Sequence, residues 1–115
     1  MIYYGQQTIS QEDIDAVVDV LKSKLITQGP VAQLFESKMC DYTGASFSIA
    51  CSHGTAALHL ACLALGVGSG DSVWTVPNTF VASANAALYC GANVDFVDID
   101  PATFNISIDH LKQKL

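Results

Sequence analysis

The sequence predicts an α/β fold in which a mostly parallel sheet carries helices on both faces. Three short apolar runs have the composition of strands, at 46–51, 72–76 and 94–97. Runs with helical spacing of apolar residues separate them, at 54–65 and 80–89. Strands that alternate with helices are joined by crossovers, so they lie parallel and are buried on both faces.

Two helices are predicted ahead of this alternation. Ser10 followed by Asp13 has the spacing of a capping box, and apolar residues then recur at helical spacing until about Leu25. Turn-forming residues interrupt the pattern before a second helix at 31–42. Gly44 is suited to end that helix in the left-handed conformation.

The composition and charge of the chain exclude two classes of binding partner. Half of the residues are hydrophobic, the formal net charge is −6 and no arginine occurs. Binding to nucleic acid or to an anionic membrane requires clustered Lys and Arg, which this chain lacks. The four cysteines are widely spaced, and no apolar run approaches the length of a membrane span. We therefore expect a cytoplasmic protein that binds neither nucleic acid nor a membrane.

The most informative motif is a small-residue turn between a predicted strand and a predicted helix. The sequence Cys-Ser-His-Gly-Thr-Ala-Ala-Leu at 51–58 places Gly54 and Thr55 where the helix begins. The first amides of a helix have no partner within it, and together with the helix dipole they favour an anion such as a phosphate. Gly54 allows close approach of the backbone, and Thr55 adds a hydroxyl donor. Such turns also occur without a ligand, so the motif alone leaves a purely conformational role open.

Several ordered motifs along the chain resemble those of one known family. They are Thr-Gln-Gly-Pro at 27–30, Phe-Glu at 35–36, Gly-Thr-Ala-Ala-Leu-His-Leu-Ala at 54–61, Val-Pro-Asn-Thr-Phe-Val-Ala-Ser-Ala-Asn-Ala at 76–86 and Phe-Val-Asp-Ile-Asp at 96–100. In order and spacing they resemble the N-terminal part of the DegT/DnrJ/StrS family of sugar-nucleotide aminotransferases, over essentially the whole chain. The resemblance implies the large domain of the aspartate-aminotransferase fold, incomplete in this chain. It also implies pyridoxal 5′-phosphate (PLP) as cofactor and a homodimer.

The resemblance implies a cofactor site built from two of these motifs. Gly54, Thr55 and Ala56 match the turn that holds the PLP phosphate, and Phe80 matches the aromatic residue that lies against the pyridine ring. Stacking of this kind contributes about 0.5–1.5 kcal/mol. Sequence pattern alone interprets Phe80 as a core residue of an alanine-rich helix, so its cofactor role rests on the resemblance.

A second implied site concerns the substrate. Tyr4 and the stretch Lys24, Leu25, Ile26 and Thr27 match positions that border the sugar-nucleotide pocket. The match is to the branch of the family that makes the amino-sugar precursor of pseudaminic acid. The competing interpretation is a surface loop between two helices.

The remaining titratable residues fit structural roles better than catalytic ones. His53 departs from the small residue usual at this family position, and is interpreted as a tolerated substitution or as a donor to the phosphate. His59 lies among apolar residues in the middle of a predicted helix and is interpreted as a packing residue. A metal role is not expected, because no second metal ligand follows it at helical spacing. Asp95, Asp98 and Asp100 form an acidic group that the resemblance treats as structural, and no metal site is expected there.

An aminotransferase also needs a lysine that binds PLP covalently and moves protons, and a carboxylate opposite the pyridine nitrogen. The resemblance places both beyond Leu115, so no catalytic residue is assigned in this chain. The helical pattern that starts at Ile108 is uninterrupted at the last residue, which predicts a longer protein. The expected organisation is a helical segment at 1–44 and the first βαβαβ part of the PLP-binding domain at 45–115.

The function implied for the complete protein is transfer of an amino group from an amino acid, glutamate by resemblance, to a nucleotide-linked 4-keto-6-deoxy sugar. Two alternatives stay open. One is a sugar dehydratase of the same family, which has histidine in place of the lysine. The other is a phosphate-binding module or a truncated product without catalysis. The 115-residue chain alone is expected to fold poorly, because its first strand would expose an unpaired edge.

Overall fold

The computed structural model describes residues 5–115 of the chain. The backbone divides into two compact units, of which one runs to Ala50 and the other is Cys51–Leu115. The predicted phosphate turn and Phe80 both belong to the second unit. The predicted substrate stretch from Lys24 to Thr27 belongs to the first.

In the described residues of the first unit there are two helices, and local signals in the sequence predicted where α1 begins and where α2 ends. Helix α1 is Gln11–Lys22, and the Ser10 hydroxyl accepts the Asp13 N–H at 3.2 Å while the Asp13 carboxylate accepts the Ser10 N–H at 2.8 Å. Helix α2 is Pro30–Thr43 and ends at Gly44, whose φ of 76° is left-handed. The capping box, the break between the helices and the glycine stop are therefore confirmed.

The predicted first strand is wrong as a strand. Residues 46–51 form no strand in the part of the chain that the structure describes, and Phe47 and Ile49 are 88% and 82% exposed. A hydrogen bond joins the segment to helix α2: the Ala50 N–H donates to the Glu36 carboxylate at 2.8 Å. A parallel strand forms only where a neighbour lies beside it, and the apolar composition of the segment does not supply one.

The second unit contains the alternation that the sequence predicted. Its elements are α3 (Gly54–Ala64), β1 (Ser72–Thr75), α4 (Ala82–Tyr89), β2 (Asn93–Phe96) and α5 (Ile108–Lys114). Strands β1 and β2 pair in parallel, with Ser72 opposite Asn93 and Thr75 opposite Phe96. Helix α4 connects the two strands and packs against both, and α3 packs against α4.

The core of this unit is small and built from small side chains. Its buried hydrophobic residues are Ala82, Ala86, Ala87, Ala92 and Val97. The alanines lie on α4 or just before β2, and they let the helix approach the two-stranded sheet closely. This packing fixes the start of α4, and therefore the segment that carries Phe80, relative to the start of α3.

The bounds of α4 and β2 differ from the prediction. Helix α4 begins at Ala82 rather than at Phe80, because Val81 is the cap residue and residues 77–79 before it form a bend. Strand β2 starts and ends one residue earlier than predicted, and Val97 follows it with its N–H bonded to the Thr75 carbonyl at 2.9 Å. The shift at α4 matters for function, because it takes Phe80 out of the helix.

Candidate functional site

A cavity of about 680 Å³ lies where the start of helix α3 faces the start of helix α4. Its walls come from the two motifs that the sequence singled out, and they consist of Gly54, Thr55, Ala57, Leu58, Ala61, Phe80, Ala82 and Ser83. A volume of this size is typical of a site for a small molecule. The structure therefore brings together Gly54, Thr55 and Phe80, three of the four residues predicted to bind the cofactor.

One end of the cavity offers hydrogen-bond donors. Helix α3 makes its first internal bond from the Ala57 N–H to the His53 carbonyl at 3.1 Å, so the preceding amides must find other partners. The amides of Gly54 and Thr55 have no acceptor among the residues that the structure describes. A Cβ added at Gly54 would meet open space. These two amides, the Thr55 hydroxyl and the positive end of the helix dipole suit an anionic oxygen group.

The third amide of helix α3 has a partner. The Ala56 N–H donates to Nδ1 of His53 at 3.2 Å, and His53 is the cap residue of the helix. Ala56 is not among the residues that line the cavity. The predicted role of Ala56 in phosphate binding stays a prediction, and His53 has a structural role that the sequence did not reveal.

The lining of the cavity also includes an exposed aromatic residue. Phe80 is 74% exposed and lies in the short segment between β1 and α4. The hydroxyls of Thr79 and Ser83, on either side of it, lie 3.1 Å apart and share a hydrogen bond. The interpretation of Phe80 as a core residue is therefore wrong. An exposed ring at the carboxyl end of a parallel strand stands where folds of this class place ligands.

The predicted substrate residues lie in the loop between α1 and α2. Lys24, Leu25, Ile26 and Thr27 are all exposed, and the Leu25 carbonyl accepts the Ser23 hydroxyl at 3.1 Å. Tyr4, which the resemblance places with them, lies outside the described residues. The loop belongs to the first unit and the cavity to the second, so their shared role in one pocket stays a prediction.

The acidic residues near β2 make local hydrogen bonds. The Asp100 carboxylate accepts the amides of Ala102 and Thr103, and the Asp98 carboxylate accepts the Ile99 N–H. Within residues 5–115, no group of three or more His, Cys, Asp or Glu side chains is placed to hold a metal ion.

In this acidic group, Asp95 has a lowered pKa. The Lys114 ammonium beside Asp95, helped by the Phe96 N–H, holds the pKa of the Asp95 carboxyl below its usual value. This ion pair ties α5 to β2, which is a structural role.

Two further titratable side chains pack beside helix α4. The His59 ring lies edge-on to Tyr89 with centroids 5.5 Å apart, which is the packing role expected for it. Partial burial raises the pKa of the Cys90 thiol, and the neighbouring Cys62 thiol adds to the effect. A raised pKa keeps a thiol protonated and therefore poorly nucleophilic.

A second cavity, of about 540 Å³, lies along helix α1 in the first unit. Its lining residues are Thr8, Ile9, Asp13, Ile14, Val17 and Val18, so it is mainly apolar. Sequence reasoning identified the apolar positions of the helix but not the groove. The helix itself contains no buried residue.

None of the helices described in residues 5–115 combines the length and the apolar composition that crossing a membrane requires.

Comparison with known proteins identifies the class to which this fold and cavity belong. A profile of the DegT/DnrJ/EryC1/StrS aminotransferase family matches residues 7–115. The chain belongs to this family, whose members are PLP-dependent and whose solved structures include PLP and pyridoxamine-phosphate forms.

Two curated relatives are sugar-modifying enzymes. A UDP-4-amino-4,6-dideoxy-N-acetyl-beta-L-altrosamine transaminase of Campylobacter jejuni is 46% identical over 86% of this chain and 26% of its own length. The GDP-perosamine synthase of Caulobacter vibrioides is 49% identical over 68% of this chain and 21% of its own length. The chain therefore spans about a quarter of the length of these relatives.

Solved structures agree with this assignment. The PLP form of Spr1654 from Streptococcus pneumoniae, described as a sugar aminotransferase, superposes with a TM-score of 0.93 at 34% identity, over 99% of this chain and 29% of that one. A 3-amino-5-hydroxybenzoic acid synthase superposes with a TM-score of 0.89 at 28% identity. The predicted α/β fold class and the predicted cofactor are confirmed.

The residues of the cavity fit the chemistry of PLP. Two unpaired amides and a hydroxyl at the start of a helix suit a phosphate group, and Phe80 offers a flat apolar face to an aromatic ring.

Proposed function

We propose that the full-length protein is a PLP-dependent sugar aminotransferase. In this proposal it moves an amino group from glutamate to a nucleotide-linked 4-keto-6-deoxy sugar. The observation that carries the proposal is one cavity lined both by Gly54 and Thr55, whose amides are unpaired, and by the exposed Phe80. Membership of the family and the names of the two curated relatives support the class of substrate.

When bound, PLP supplies an electron sink for the amino acid carbon from which a proton is removed. The residues of this chain would bind the cofactor and the substrate and orient them. The amides of Gly54 and Thr55 and the Thr55 hydroxyl would anchor the phosphate, and Phe80 would cover one face of the ring and keep water from it. The loop from Lys24 to Thr27, with Tyr4, would contact the nucleotide sugar.

The proposal includes a cytoplasmic homodimer. The homodimer is implied by the family resemblance. The four cysteines, Cys40, Cys51, Cys62 and Cys90, are free thiols in the structure, which suits a reducing compartment.

The experiment replaces Thr55 by Val in the full-length protein and measures PLP affinity by visible absorbance after dialysis. Val keeps the shape of Thr but lacks the hydroxyl, so one hydrogen bond to a charged group, worth about 1.5–3 kcal/mol, is lost. We expect the affinity for PLP to fall about 10- to 150-fold. Thr55→Ser keeps the hydroxyl and is expected to bind PLP like the wild type.

Two results would contradict the proposal. One is an unchanged affinity of Thr55→Val for PLP, and the other is an equal loss of affinity for pyridoxal, which has no phosphate. The reaction is tested with glutamate and a UDP-linked 4-keto-6-deoxy sugar. An amino sugar as product supports the proposal, and a dehydrated sugar without nitrogen would assign the dehydratase instead.

A further inference from the structure

His53 has two features that the proposed function leaves unexplained. It is the cap residue of the helix that carries the phosphate donors, and its ring nitrogen engages an amide that a phosphate could use. Ser, Thr, Asp and Asn are the residues that usually cap helices through an oxygen. In this chain Ser10 and Ser107 cap α1 and α5 in that way, whereas α3 uses an imidazole.

The direction of the hydrogen bond determines whether the His53 ring donates or accepts. The Ala56 N–H is a donor, so Nδ1 of His53 must accept and carries no proton while the bond exists. The single proton of the neutral ring is then on Nε2. His53 therefore acts in this structure as an acceptor for the backbone, and the interpretation of the ring as a phosphate donor does not describe this state.

The bond divides the amides at the start of α3 into two groups. Those of Gly54 and Thr55 have no acceptor among the described residues, and that of Ala56 is engaged by the ring. A phosphate has three oxygens that accept hydrogen bonds, so it can use more donors than the two unpaired amides. The third amide is available to it only after the ring has moved away.

We propose that His53 competes with the phosphate group of PLP for the Ala56 amide, and so sets the affinity of the site; this rests on the proposed function. The ring caps the helix in the absence of the cofactor. The phosphate displaces it, because a hydrogen bond to a charged oxygen is about twice as strong as one between neutral groups. His53 is thus a positioning residue whose presence weakens the binding of PLP.

The test compares three forms of the full-length protein by their dissociation constants for PLP. His53→Ala removes the competing acceptor, and we expect it to bind PLP about 2- to 10-fold more tightly than the wild type, the factor that corresponds to one capping bond. His53→Asn restores an acceptor that is favoured at cap positions, so its affinity should return close to that of the wild type. Inorganic phosphate, used as a competitor, should show the same order, and pyridoxal should bind all three forms equally.

Ser107→Ala is the matched control. The Ser107 hydroxyl accepts the His110 N–H at 3.2 Å, which is the length of the bond between Ala56 and His53, and it caps α5 rather than a helix of the cavity. We expect this variant to lower the melting temperature without changing PLP affinity.

Each outcome of the test bears on the proposal. Weaker or unchanged binding of PLP by His53→Ala would overturn it, and so would an equal change in Ser107→Ala. A wild-type protein that does not bind PLP at all would refute the proposed function itself. Tighter binding by His53→Ala alone, with recovery in His53→Asn, would support the competition.

Discussion

Two glycines stand at the starts of helices, and their surroundings are opposite. A Cβ added at Gly29, the cap residue of α2, would lie 2.6 Å from the Leu25 carbonyl oxygen. A Cβ added at Gly54, the first residue of α3, would meet nothing within 4 Å. Because Cβ atoms in a helix tilt toward its N-terminus, a methyl group at Gly54 would point to the side from which a phosphate approaches. The first glycine therefore serves the fold, and the second leaves room for a ligand.

We predict that Gly29→Ala destabilises the full-length protein by about 1–3 kcal/mol, the usual cost of forcing an atom into filled space. Gly54→Ala should leave stability unchanged or raise it by about 0.4–1 kcal/mol, since alanine restricts the unfolded chain more than glycine. It should nevertheless bind PLP more weakly, because the methyl group crowds the phosphate. Thermal melts and PLP titrations of both variants check this.

Gly68→Ala is the control for this pair, since its Cβ would lie at an ordinary 3.9 Å from the Cys90 carbonyl, away from the cavity. We expect Gly68→Ala to change neither the stability of the protein nor its affinity for PLP strongly. Loss of stability in Gly54→Ala, or full PLP affinity in that variant, would show that the glycine has only a conformational role.

At the scale of elements, local signals were sufficient for the helices but not for the first strand. The capping box at Ser10 and the glycine at Gly44 act within a few residues, so the sequence alone predicted where α1 begins and α2 ends. A strand depends on a neighbour that can lie anywhere along the chain. The segment 46–51 has the composition of a strand and remains unpaired in the described part of the chain.

The sequence predicted the parts of the candidate site that depend on local signals, but not those that depend on packing. The helix start at Gly54 is a local signal, and the family pattern supplied Phe80. That Phe80 is exposed follows from the start of α4 at Ala82, which depends on packing of alanines against the sheet. The cap at His53 was missed, because nothing in the sequence tells which acceptor an amide will find.

The ion pair between α5 and β2 gives a prediction about pH. The Lys114 ammonium holds the pKa of Asp95 below the ordinary value of 3.8. The stability that the pair contributes is therefore complete above that value, and it is lost as the pH falls through the lowered one. We expect Lys114→Met to raise the Asp95 pKa toward its ordinary value, as measured by NMR titration of the carboxyl carbon in the full-length protein.

Lys112→Met is the control for the ion pair. Lys112 pairs with Asp109 at 3.9 Å, and both side chains are largely exposed, so its removal should leave Asp95 unaffected. An Asp95 pKa that does not move in Lys114→Met would show that the Phe96 amide, rather than the lysine, holds the carboxyl in its charged form.

At the scale of the whole molecule, most large hydrophobic side chains of the described residues are exposed and few are buried. The buried hydrophobic residues among those described are four alanines and Val97, whereas Phe47, Ile49 and Leu65 are each more than 80% exposed. Helices α1, α2, α3 and α5 contain no buried residue. Large contiguous apolar surfaces mark places where another part of a protein packs, or where a protein aggregates.

We predict that the 115-residue polypeptide expressed alone does not melt cooperatively. The loss of conformational entropy on folding, about 1–2 kcal/mol for each ordered backbone residue, has to be offset mainly by apolar burial, and a core of four alanines and one valine provides little. Differential scanning calorimetry and light scattering should show a broad transition and association. The full-length protein should give a sharp transition that rises in temperature when PLP is added, since a ligand that binds only the folded state stabilises it. A soluble monomer of 115 residues with a sharp melt would contradict this prediction, because it would mean that the exposed apolar faces need no covering.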